Sequence, residues 1–128
     1  MKFTPFNPPR AFEVTGAGVK LQLSDCGRVE LGADEQVTFT TAGGGQYDVT
    51  RKNWGFYATP SINGRLRYFG LRAALVMSVY GRLFLLLVEK GREDAFYAYL
   101  EADHQKLLCW LDNDDEVAKL AAFYGVQV

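Results

Sequence analysis

Two arginines, Arg65 and Arg67, are spaced in this chain as an anion-binding pair would be. If residues 65 to 69 form a β-strand, as we expect, both side chains project from one face, about 7 Å apart. Two guanidinium groups at that distance can hold a phosphate or a carboxylate in bidentate fashion. The alternative is that they decorate a solvent-facing strand and protect its edge from aggregation.

The pair belongs to a segment, residues 49 to 88, that contains six cations and no Asp or Glu. Both flanks are acidic, with four cations against six anions in residues 1 to 48 and four against nine in residues 89 to 128, so the formal net charge is −1. A one-sign patch on a nearly neutral body attracts an oppositely charged partner, and salt weakens that attraction. The six cations are Arg51, Lys52, Arg65, Arg67, Arg72 and Arg82.

Large aromatic side chains lie among these cations, in the segment from Asn53 to Ser61. Such a mixture is typical of sites where sugars or bases stack, and equally of a strand that crosses a core and turns. The sequence therefore predicts a ligand-binding set or part of the core. The candidate ligand-binding residues are Arg65, Arg67, Arg51, Lys52, Trp54, Tyr57 and Asn63.

Catalytic and metal-binding motifs are not recognisable in the sequence, so we expect no cofactor. His104 is the single histidine, and Cys26 and Cys109 form no CxxC pair. The acidic run Asp112 to Glu116 lacks the glycine and the final glutamate of an EF-hand loop, and a helix cap explains it without a ligand.

Length and composition indicate one globular domain, residues 1–128, that is large enough to bury a core. The chain is 48% hydrophobic and 23% charged, which argues against disorder. The first ten residues contain three prolines rather than an apolar leader, and no apolar run approaches the length of a membrane span. We therefore expect a cytoplasmic protein without a membrane partner.

Apolar residues alternate with polar ones through much of residues 11–89, which predicts short antiparallel strands after an extended strap at residues 1–10. Turn-rich segments recur at the spacing of a small sandwich or barrel. They are Gly16 to Gly18, Ser24 to Gly27, Gly32 to Glu35 and Ala42 to Gly45.

Two hairpins and a helix-strand-helix unit are predicted for the remainder of the chain. Asn63-Gly64 and Gly81-Arg82 suit two-residue hairpin turns, and the apolar run Leu83 to Val88 predicts a strand covered on both faces. Within residues 92–125 the spacing of apolar residues indicates a helix over 92–102, a strand over 106–111 and a second helix capped by Asn113. The expected fold is α+β, a mostly antiparallel sandwich-like or barrel-like sheet with two C-terminal helices packed on it.

Two short stretches resemble known proteins. GRVELGADEQVTF, residues 27–39, resembles the strand-turn-strand opening of cupin-type small barrels. Cupin enzymes use clustered histidines and a glutamate as metal ligands, whereas here Thr38, Thr40 and Thr41 occupy that region, so the resemblance implies no metal chemistry. WGFYATPSINGRL, residues 54–66, is similar to small bacterial proteins encoded near enzymes of surface-sugar biosynthesis, and this implies no catalytic residue.

Three functions are consistent with these patterns. The first is a non-enzymatic binding or accessory domain that engages an anionic small molecule or protein, including a second copy whose acidic third faces the basic segment. The second is an enzyme or accessory factor acting on a sugar or sugar nucleotide in surface-glycan biosynthesis. The third is binding of single-stranded nucleic acid, which the sequence pI of 5.8 disfavours.

Overall fold

Three antiparallel sheets make up about half of the part of the chain that the structure describes. The structure is a computed structural model and describes residues 1–16, 19–58 and 60–127. The described strands are β1 (Lys2–Gly16), β2 (Val19–Glu30), β3 (Gln36–Thr40), β4 (Gln46–Lys52), β5 (Gly55–Ala58), β6 (Leu71–Met77), β7 (Leu83–Glu89) and β8 (Lys106–Trp110). The helices are a 3₁₀ helix (Arg65–Phe69), α1 (Glu93–Ala102) and α2 (Asp114–Phe123).

Strands β1 and β2 form a long two-stranded sheet, here called the ribbon. The extended strap predicted for residues 1–10 is the first part of β1, and it pairs with β2 from Lys2 onward. The turn predicted at Ser24 to Gly27 is wrong, because these residues lie inside β2. They pair with β1 on both sides of a register irregularity between Pro5 and Arg10 of that strand. Of the turn predicted at Gly16 to Gly18, residues 17 and 18 lie outside the described residues.

Strands β3, β4 and β5 form a meander, here called the middle sheet. The turns predicted at Gly32 to Glu35 and Ala42 to Gly45 are confirmed, since each connects two successive strands. The polar face of this sheet carries cross-strand hydrogen bonds, such as the 2.6 Å bond that the Thr38 hydroxyl donates to Asp48. Residues 53 and 54 form a tight turn between β4 and β5, which was not among the turns predicted from the sequence.

The strand and hairpin predicted around Asn63-Gly64 are wrong, because residues 65 to 69 form a 3₁₀ helix. The Ser61 hydroxyl accepts a 2.8 Å hydrogen bond from the Arg65 N–H, and the Ser61 carbonyl accepts one from the Leu66 N–H. Gly70, with φ of 76°, then ends the helix in the left-handed conformation that glycine favours. Burial of Leu66, which is 0% exposed, accompanies this local hydrogen bonding.

Strands β7, β6 and β8 form the C-terminal sheet, with β6 in the centre. The β6–β7 hairpin is confirmed, but its connection spans residues 78–82 rather than two residues, and the Ser78 side chain accepts hydrogen bonds from the N–H groups of Tyr80 and Arg82. The prediction that both faces of β7 are covered is wrong for its first half, since residues 83 to 85 are 45 to 58% exposed.

Both predicted helices are confirmed. Helix α1 buries Phe96 and Leu100. Helix α2 begins as predicted, because the Asn113 side chain accepts a 3.1 Å hydrogen bond from the Glu116 N–H. Neither described helix has the length and apolar content needed to cross a bilayer.

The α+β prediction is thus confirmed, although the described strands form three separate sheets and no closed barrel. Buried apolar side chains of the described chain lie in two clusters in its C-terminal half. One cluster lies between α1 and the C-terminal sheet. The other, around Leu66, also includes Tyr47 of β4 and therefore links the middle sheet to the C-terminal sheet.

Candidate functional site

The structure does not bring Arg65 and Arg67 together on one face. A 3₁₀ helix has three residues per turn, so residues two apart point in different directions. Arg67 turns back on its own loop, donating a 3.2 Å hydrogen bond to the Gly64 carbonyl and a 2.7 Å bond to the Asn63 carbonyl. The Arg65 guanidinium lies 5.7 Å from the centre of the Phe69 ring. The strand geometry behind the predicted bidentate pair is therefore absent, and anion binding by either residue stays a prediction.

Arg72 is engaged inside the fold. Its guanidinium donates two hydrogen bonds to Asp112, of 2.8 and 3.1 Å, and a 3.3 Å bond to Glu93. It also lies 3.9 Å from the centre of a ring of Trp110. The Arg72 guanidinium is thus in contact with two carboxylates and an aromatic ring. These contacts join β6 to the first turn of α1 and to the end of β8.

The fold should become less stable at acidic pH, because protonation of Asp112 weakens its ion pair with Arg72. The hydrogen bond from Arg72 lowers the pKa of Asp112 below its ordinary value of 3.8. A carboxyl with a depressed folded-state pKa contributes stability above its unfolded-state pKa and loses that contribution as the pH falls through the folded-state pKa. We therefore expect Asp112→Asn to be less stable than the parent at neutral pH and to lose less stability between about pH 5 and pH 2.

Urea unfolding midpoints measured across that pH range test this expectation. The matched control is Arg72→Met, which removes the partner and should flatten the same part of the pH profile. Adding Asp112→Asn to Arg72→Met should then change the profile little. An undiminished acid slope in Asp112→Asn would contradict the assignment.

The other predicted residues near the β4–β5 turn are dispersed. Lys52 forms an ion pair with Asp34, with Nζ 2.5 Å from the carboxylate. Trp54 lies in the turn and is 70% exposed. Tyr57 pairs with Thr50 across the middle sheet, on the polar face, and is also exposed. None of these three residues is among those that line the cleft around Arg51.

Arg51 is the predicted residue that lines a cleft. The cleft has a volume of about 710 Å³ and lies between the start of the ribbon, the β2–β3 turn and the middle sheet. Arg51 is half-buried, and its Nη1 is buried without a hydrogen-bond partner among the described residues. Phe56, directly opposite Arg51 across the β4–β5 hairpin, forms an exposed aromatic part of the wall.

The cleft carries more positive than negative side chains. Lys2 and Arg28 line it with Arg51, and the carboxylates are Glu30 and Glu35. Glu35 is already paired, because the ammonium of Met1 lies 2.8 Å from it and the Gly32 N–H donates a 2.7 Å hydrogen bond to it. These contacts, led by the hydrogen bond from the ammonium, lower the pKa of Glu35.

Sequence reasoning missed Lys2, Arg28 and Phe56 as members of this site. Lys2 and Arg28 are far from Arg51 along the chain, and only the position of the ribbon beside the middle sheet brings them near it. Phe56 could have been found, because a tight turn at Asn53 and Trp54 places Phe56 opposite Arg51 by register alone.

Comparisons of the chain with protein-family models, with characterised proteins and with solved structures found no match.

Proposed function

We propose that this chain is a non-enzymatic binding domain that holds a small anion in the Arg51 cleft. The observation that carries the proposal is the buried Arg51 Nη1, which has no acceptor among the described residues. Leaving a buried polar group without a partner costs about 1 to 3 kcal/mol, and more when the group is charged. Because Arg51 lines the cleft, a phosphate or carboxylate bound there would give its guanidinium an acceptor.

The surroundings of Arg51 favour an anion that carries a planar or apolar group. Lys2 and Arg28 add positive charge at the same cleft. The negative charge of Glu35 is balanced by the ammonium of Met1, with which it forms an ion pair. The exposed ring of Phe56 offers a flat apolar surface beside the guanidinium. A nucleotide or a sugar phosphate has both of these chemical features.

The electrostatics of the cleft favour binding over acid-base catalysis. The lowered pKa of Glu35 keeps this carboxylate ionised at neutral pH, where it is a poor proton donor. Hydrogen bonds from Gly32 and the Met1 ammonium also engage both of its oxygens. These contacts support a role for Glu35 in organising the cleft.

Isothermal titration with inorganic phosphate, a nucleoside diphosphate and a nucleotide sugar tests the proposal. We expect binding of at least one of these probes to weaken by about tenfold or more in Arg51→Met, the loss that a charged hydrogen bond predicts. Binding should also weaken as salt rises.

The matched control is Arg65→Met, which removes an exposed arginine outside the cleft. This variant should bind the same probe as the parent does. No heat of binding with any of the three probes, or equal losses in both variants, would reject the anion-binding cleft. Equal losses of affinity would instead indicate that Arg65, in the 3₁₀ helix, takes part in binding.

A further inference from the structure

The ribbon has one polar and one apolar face. Residues directly opposite each other in an antiparallel pair share a face, as do residues two apart in one strand. Phe12 pairs with Leu23 and Val14 pairs with Leu21, so these four side chains form one apolar face. The opposite face carries polar pairs such as Glu13 with Gln22, which are joined by a 3.3 Å hydrogen bond.

The apolar face of the ribbon has no cover within the described chain. Phe12, Val14, Leu21 and Leu23 remain 41 to 45% exposed even though each touches a neighbour across the ribbon. An isolated two-stranded hairpin is at best marginally stable in water unless a third element packs on its hydrophobic face. A further element packed on this face would therefore stabilise the ribbon.

The accessible surface area of the chain is larger than that of a compact monomer of the same mass. The chain exposes 9371 Å². A compact monomer of 14.3 kDa exposes about 6,800 Å², so the excess is about 2,500 Å². A stable interface buries about 800 Å² on each partner. The excess is thus more than one protein–protein interface requires.

Two charged residues beside the apolar face indicate which kind of partner would bind it. Arg10 and Asp25 share this face with Phe12 and Leu23 and form an ion pair of 2.7 Å. A two-fold axis along the ribbon would place β1 of one copy over β2 of the other. Arg10 of each copy would then lie over Asp25 of the other, and Phe12 over Leu23. The face is therefore complementary to itself in both charge and apolar character, as an isologous interface requires.

We propose that the apolar face of the ribbon binds the same face of a second copy of this chain. The interface is a ribbon-on-ribbon sandwich, with the two strand pairs about 10 Å apart. This mode differs from the electrostatic self-association that the charge distribution predicts, because its main contribution is burial of apolar side chains. Raising the salt concentration should leave the dimer intact, whereas pairing of an acidic with a basic surface would weaken.

Sedimentation velocity over a range of protein concentrations, at low and at high salt, tests the proposal. The parent should be a dimer at micromolar concentration. Leu23→Lys, on the apolar face, should raise the dissociation constant by about a hundredfold or more, since a lysine would be buried without a partner. Gln22→Lys is the matched control on the neighbouring position of the same strand, and it should leave the dimer unchanged.

A charge exchange tests the register even if Leu23→Lys unfolds the ribbon. R10D and D25R each place like charges across the proposed interface. Each variant by itself should therefore be monomeric. A mixture of the two should form a heterodimer, because opposite charges then face each other. A monomeric parent, equal effects of Leu23→Lys and Gln22→Lys, loss of the parent dimer at high salt, or no recovery in the mixture would overturn the proposal.

Discussion

Replacing Leu66 with alanine should lower the free energy of unfolding by about 3 kcal/mol, the middle of the range for leucine truncations in protein cores. Leu66 is fully buried in the cluster that links the middle sheet to the C-terminal sheet. Truncation leaves a cavity among side chains of both sheets, which relax only in part. Domains of this size are stable by about 5 to 15 kcal/mol, so the loss would be a large share of the total.

Chemical denaturation monitored by tryptophan fluorescence measures this change. Tyr68→Ala is the matched control, because Tyr68 lies two residues away in the same 3₁₀ helix and is 84% exposed. We expect that control to change the unfolding free energy by less than about 0.5 kcal/mol. A similar small change for Leu66→Ala would show that the cluster does not connect the two sheets.

Replacing Arg72 with methionine should lower the free energy of unfolding by about 2 to 3 kcal/mol, because it leaves the partly buried Asp112 carboxylate without its partner. The side chains of Arg72 and Asp112 are 25% and 18% exposed, so solvent compensates for only part of the loss. Methionine keeps the apolar stem but not the cation–π contact with Trp110. Lysine would restore the charge without the fork that reaches both oxygens of Asp112.

Urea unfolding of Arg72→Met, Arg72→Lys and Arg82→Met separates these contributions. Arg82 belongs to the same acid-free segment, but it lies at the exposed β6–β7 connection. We expect Arg82→Met to be neutral and Arg72→Lys to fall between the parent and Arg72→Met. If Arg72→Met is as stable as Arg82→Met, the ion pairs with Asp112 and Glu93 contribute nothing to folding.

The acid-free segment shows how far charge patterning along a sequence can be trusted. The sequence placed only Arg65 and Arg67 together by spacing, and the structure shows that Arg72 is paired with carboxylates of the acidic C-terminal third. Lys52 pairs with Asp34, and Arg67 donates to its own loop. Arg51 is left as the cation that lines a cleft, together with Lys2 and Arg28 from outside the segment.

The sequence by itself determined the elements that depend on neighbours within a few residues. Apolar spacing and the Asn113 cap located α2, and the pattern around Phe96 located α1, because helix periodicity and capping are local. The hairpin predicted at Asn63-Gly64 is wrong, because hydrogen bonds to Ser61 and burial of Leu66 in a distant cluster outweigh the turn propensity of the pair.

Only the tertiary structure decided which charges are free and which surfaces are covered. Arg72 pairs with Asp112 because β6 and β8 are neighbours in the C-terminal sheet. Arg51 and Arg28 line one cleft because the ribbon lies beside the middle sheet. The alternation of apolar and polar residues predicted antiparallel strands here, but only the structure shows that the apolar face of the ribbon is exposed. Ion pairing, burial and exposure depend on contacts between residues far apart in the chain, and local sequence patterns do not encode those contacts.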